Sequence, residues 1–195
     1  MNILAGLSPF IAFALLSNLS VDLALWAAFA AAFAVGIRDF VHYRTLRPLD
    51  AFGTTLFGLL ALYAGFLAPG IATQTIRLIV DGGFLSLALA SLVLRKPFTL
   101  PYAREQSAKE RWTTPAFRRM NYTVSSLWAL AFAVMAAADA AATFNHQLSL
   151  TLDLAIGLGA LAIAIAVTAR YAVREKARAS RPMPSRSAAA PRSST

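Results

Sequence analysis

The chain has 195 residues, 58% of them hydrophobic and only 14% charged, against roughly 25% charged in an average soluble domain. Its formal net charge of +9 is not spread over basic patches interleaved with stacking aromatics, which points away from nucleic acid. The absence of cysteine removes disulfides, thiolate metal sites, iron–sulfur clusters and cysteine nucleophiles together.

What remains is a helical membrane protein. A helix needs about 20 apolar residues to cross a hydrocarbon core of roughly 30 Å, and the sequence holds several such runs. The first, at 3–19, contains Pro9 and ends in the turn-forming stretch "SNLSVD". It lacks a basic leader region, so an uncleaved span is expected rather than a signal peptide. The second span, 21–37, begins where Ser20 or Asp22 can cap a helix. Its Ala24/Ala28 and Ala27/Ala31 pairs would let another backbone approach closely.

A basic connection, "RDFVHYRTLRPLD", leads to the third span, 51–67, and the fourth follows at 73–94. A second basic connection, opening "RKPFTLPYARE", leads to spans at 122–144 and 148–172. The expectation is therefore an all-α bundle of six spans over 1–172. The segment 173–195, rich in Arg, Ser, Pro and Ala, reads as a disordered basic tail.

Basic residues gather on cytoplasmic loops close to span ends. With six spans, all but one of the 18 Lys and Arg residues fall on one side, which the rule makes cytoplasmic along with both termini. The exception is Arg77. A first segment too short to cross is the rival to this topology.

Arg77 and Asp81 lie inside the fourth apolar run, where each charge costs about 2.5–3.5 kcal/mol at a helix centre. Four residues apart, they share a helix face and can pair, either as a packing salt bridge or as a functional pair. The same topology brings Asp22, Asp139, His146 and Asp153 to the non-cytoplasmic half. These form an outer polar cluster suited to a cation or to proton sensing, or else are helix-end residues reaching interfacial water. Gly82 and Gly83, next to Asp81, are a place where the fourth helix can loosen.

Other patterns have ordinary explanations. "GLGALA" at 157–162 imitates a dinucleotide fingerprint but sits mid-span with no preceding strand. "NYT" at Asn121 imitates a glycosylation acceptor on the cytoplasmic side. Ala129, Ala133, Ala137 and Ala141 form a four-residue ladder that reads as a packing seam. Two histidines are too few for a zinc site or a His-dependent triad. No metal, cofactor or catalytic residue is expected.

Around "LRKPFTLPYARE", "RWTTPAFRRMN" and "SSLWALAF" the chain resembles the bacterial intracellular septation protein A family. The matching elements are Arg95-Lys96-Pro97, then Trp112 before Pro115 and Phe117, then Asn121 followed by Trp128 opening a span. The likeness runs from Leu7 to Arg170; the Arg-rich tail and Ala-rich spans depart from the family. The resemblance implies a polytopic inner-membrane protein linked to envelope synthesis and division, acting through other membrane proteins. Contacts to anionic lipid headgroups or a partner are then expected from Arg95, Lys96, Tyr102, Arg104, Trp112, Arg118 and Arg119. The alternative is a small ion-coupled permease built on Arg77 and Asp81.

Overall fold

The computed structural model describes residues 6–44, 47–105, 107–145 and 150–179. They form seven α-helices: α1 (Ser8–Leu16), α2 (Val21–Tyr43), α3 (Pro48–Leu62), α4 (Thr73–Val93), α5 (Leu100–Glu105), α6 (Pro115–Asn145) and α7 (Leu150–Ala179). A π-helical turn, Tyr63–Leu67, extends α3. Strands are absent among the described residues. Among the described residues, five helices are long and apolar enough to cross a membrane: Val21–Val41, Pro48–Leu67, Thr73–Val93, Pro115–Phe144 and Thr151–Arg174. The protein is a multi-span helical membrane protein.

Among the described residues, the first apolar run contributes a short helix, α1. Its helix has nine residues, about 14 Å at 1.5 Å per residue, roughly half of a bilayer core. Pro9 opens this helix instead of bending it, because the first turn needs no donor from that position. Leu7, Phe10 and Phe13 are buried, so α1 is a wedge driven into the bundle. Gly6 lies against Tyr102 of the second basic connection; an added Cβ would sit 2.7 Å from the Tyr102 hydroxyl oxygen. The described start of the chain therefore lies at the end of the bundle occupied by both basic connections and by the end of α7.

Local chemistry sets the helix ends. Ser20, in extended conformation, accepts a hydrogen bond from the Leu23 amide at 3.4 Å and caps α2. α4 stops at Val93 with Arg95 in the left-handed region (φ 55°) and the Lys96 amide bonded back to the Ser91 carbonyl at 2.9 Å. Pro101 stands in the first turn of α5, where its missing donor is not needed. α7 runs on to Ala179 because "REKARA" is made of good helix formers, so the expected tail is helical over 173–179. Residues 180–195 lie outside the described residues.

The core is a column of aromatic rings at mid-depth. Phe84 of α4 meets Phe10 (centroids 5.0 Å), Phe52 (5.5 Å), Phe57 (6.0 Å) and Phe132 (5.5 Å), and Trp128 continues it at 5.7 Å from Phe132. The Trp128 indole N–H donates to Thr168 Oγ1 at 3.0 Å, tying α6 to α7. Ala24 and Ala28 are fully buried, as their spacing predicts. The Ala129–Ala141 ladder is not the seam of α6: Ala137 is exposed. The buried face of α6 runs through Trp128, Phe132, Met135, Ala138 and Asp139, because large rings set its orientation and small residues only fill around them.

Candidate functional site

Among nine acidic residues, Asp39, Asp50, Asp81, Asp139 and Asp153 are each no more than 4% exposed. Ionised carboxylates inside an apolar bundle are costly and persist where they are paired or used. They fall into two clusters at opposite ends of the aromatic column.

At the acidic end, α4, α6 and α7 converge on Arg77. Its guanidinium Nε lies 3.4 Å from Asp139 Oδ1, and Nη1 lies 3.3 Å from Asp153 Oδ2. The expected intrahelical salt bridge with Asp81 does not form; Arg77 bridges to the two neighbouring helices, and Asp81 lies buried one turn further along α4. Spacing along one helix permits a pair, but α6 and α7 approach closely enough to offer two carboxylates where Asp81 offers one. Gly157 makes room for this: a Cβ there would stand 3.4 Å from Arg77 Nη2. The outer cluster expected from topology is thus assembled from Asp139 and Asp153. Asp22 is not part of it and sits exposed in the first turn of α2. His146 lies outside the described residues. Gly82 and Gly83 leave α4 unbroken; Gly83 instead lets α3 approach, with Leu56 Cδ2 placed 3.1 Å from a would-be Cβ.

The basic end holds a cluster that sequence patterns did not disclose. Arg47, 3% exposed, pairs through Nη1 with Asp39 Oδ2 at 2.6 Å and through Nη2 with Glu105. Its guanidinium carbon stacks 4.8 Å from the centre of the Tyr102 ring. The Tyr102 hydroxyl donates to Asp50 Oδ1 at 3.0 Å. Burial alone would lower the Arg47 pKa, but Glu105 and then Asp39 outweigh it and raise it above the ordinary value. Burial, followed by the adjacent Asp50 carboxylate, holds the Tyr102 hydroxyl well above the usual tyrosine range. A neutral network lies nearby: Thr99 Oγ1 and Ser125 Oγ share a hydrogen bond at 2.9 Å, and the Asn121 amide donates to the Phe117 carbonyl at 2.8 Å. Asn121 is buried, which disposes of the glycosylation pattern.

Of the residues expected to face lipid or a partner, Arg95, Lys96, Arg104, Arg118 and Arg119 are exposed at this end. Trp112 is half-buried; its indole N–H donates to the Ser107 carbonyl at 3.2 Å, and Arg104 lies over its ring at 5.3 Å. Tyr102 is a core residue at 1% exposure and not an interfacial one, since α5 tucks it beneath Gly6. The signals for the missed cluster were Asp39, Asp50 and Glu105, acids standing in or beside connections otherwise dominated by arginine and lysine.

No family model, no curated protein and no solved structure matches the chain. The resemblance to septation proteins rests on the short motifs around Arg95, Trp112 and Trp128.

Proposed function

We propose that this chain is a multi-pass protein of the bacterial cytoplasmic membrane that supports envelope or septum processes through lipid and protein contacts, and performs no chemistry of its own. The observation that supports this reading is a fixed basic collar over a closed core. Arg95, Lys96, Arg104, Arg118 and Arg119 are presented at one end by a short helix and a capped turn, above a mid-depth column filled by Phe10, Phe84, Phe132 and Trp128. Each basic side chain near an anionic leaflet contributes about 1 kcal/mol of attraction. The test is in-cell photo-crosslinking from positions 96 and 118, with and without exchange of Arg95, Lys96, Arg118 and Arg119 for Gln. Anionic phospholipid and envelope proteins are expected among the adducts of the natural chain and depleted in the variant. Adducts unchanged by neutralisation would remove the collar from the function.

A second reading, an ion-coupled permease, is favoured by one observation: three buried carboxyls face one guanidinium at the acidic end. Its test is cation- or proton-driven solute flux in proteoliposomes, abolished by Asp81→Asn.

A further inference from the structure

The acidic-end cluster is unbalanced in two independent ways. In charge, Asp81, Asp139 and Asp153 oppose Arg77 alone, leaving two formal negative charges unmatched if all three acids ionise. In hydrogen bonding, both carboxyl oxygens of Asp139 and of Asp153 are buried without a hydrogen-bond partner among the described residues, as is Arg77 Nη1. The guanidinium reaches them only at 3.3–3.4 Å, too long and too poorly aligned to donate properly.

The surrounding helices bring no relief. α1 has no ionisable side chain, and the single charge of α3, Asp50, sits at the far end in the grip of Tyr102. From α4 the cluster receives Arg77 and Asp81, from α6 Asp139, and from α7 Asp153. Asp22 of α2 is exposed and stands apart. Three carboxylates around one guanidinium in an apolar setting do not all stay ionised, and the smallest particle that reduces the excess charge and supplies a missing donor is a proton.

We propose that this cluster is a proton-binding site in which one proton is held among the Asp81, Asp139 and Asp153 carboxyls around Arg77, halving the unmatched negative charge across α4, α6 and α7. The inference rests on the charge count behind the permease reading, yet it holds whether or not the protein moves a solute. Release of the proton places a second unmatched negative charge among α4, α6 and α7. Its expected consequence is looser seating of the acidic end of α7, which Arg77 ties to α4.

The experiment is infrared spectroscopy of the full chain in lipid nanodiscs at neutral pH, reading the carbonyl stretch of protonated carboxyls and its shift in heavy water. Asp81→Asn and Asp139→Asn should each remove or shift the same band. Asp50→Asn should leave that band in place, since Asp50 belongs to the other cluster. Should either Asn variant fail to fold, Asp81→Glu is expected to fold and to shift the band without deleting it. A natural chain whose spectrum shows no band sensitive to Asp81 or Asp139 overturns the proposal. So does a band that sodium, potassium or magnesium ions abolish at constant pH, which would make the site a metal-cation site. A band without cation- or proton-driven flux would sink the permease reading and leave the proton site standing; flux without the band would do the reverse.

Discussion

Two buried arginines, Arg47 and Arg77, anchor opposite ends of one bundle, and their surroundings differ in a way that total charge does not convey. Arg47 has close partners, Asp39 at 2.6 Å and Glu105, and a ring to lie on. The Glu105 side chain is 21% exposed, so part of that cluster's charge is shared with water. Arg77 spreads itself at 3.3–3.4 Å between two carboxyls that are 1% exposed, with a third beside them. A buried arginine with close partners, one of them reaching water, is a clamp; the same side chain at longer range, facing an excess of buried acids, is a poise point whose balance depends on protons. The aromatic column around Phe84 keeps the two apart, so each can be perturbed alone.

The largest effect should come from Arg77→Ala, which strands buried carboxyls and is expected to cost about 3–5 kcal/mol. Arg47→Ala should cost less, because Glu105 can turn to water and Arg38 remains 3.3 Å from Asp39. Equal losses in detergent-solubilised thermal unfolding would erase the distinction between the two ends. Phe84→Ala comes next, at about 2–3 kcal/mol: in lipid the cavity and lost packing count, while apolar transfer counts little. If the column insulates the clusters, double variants combining Phe84→Ala with Tyr102→Phe should depart from additivity more than the pair Arg77→Ala and Tyr102→Phe, whose members lie at opposite ends.

Tyr102→Phe should cost about 1–3 kcal/mol by leaving Asp50 Oδ1 without its donor. It also carries a pH signature with a definite sign. The folded Tyr102 hydroxyl has a raised pKa, so its contribution is complete below the ordinary tyrosine value of 10.0 and is lost as pH climbs from there toward the folded value. The natural chain should lose stability over that alkaline range more steeply than Tyr102→Phe. Parallel alkaline slopes would show that the hydroxyl is not held as described. The smallest effect is expected from Ser20→Ala, about 0.5–2 kcal/mol confined to the α1–α2 turn and visible as faster amide exchange at Leu23. It should leave both arginine clusters untouched.

Much of the fold was legible because it is local. Apolar runs, "SNLSVD", Ser20 and the Arg95-Lys96-Pro97 stop each act within a turn or two of themselves, and the placement of basic residues follows from the connections they occupy. The candidate site was legible only as an inventory. Arg77, Asp81, Asp139 and Asp153 stand out as charges in apolar runs, yet the choice between an intrahelical and an interhelical pair depends on how near α6 and α7 come, a distance no spacing encodes. The basic-end cluster was hidden for the same reason, since Arg47, Asp39 and Glu105 look like solvated loop charges until the helices meet.

By itself the sequence determined that this is a helical membrane protein with its positive charge gathered at one end, because hydrophobic length and charge placement are properties of segments. Only the tertiary structure decided that Ser8–Leu16 is a short wedge, that Tyr102 is core, and that Arg77 answers to Asp139 and Asp153. These outcomes depend on which surfaces touch: Gly6 admits Tyr102, Gly157 admits Arg77, and the rings around Phe84 set how closely everything else can pack.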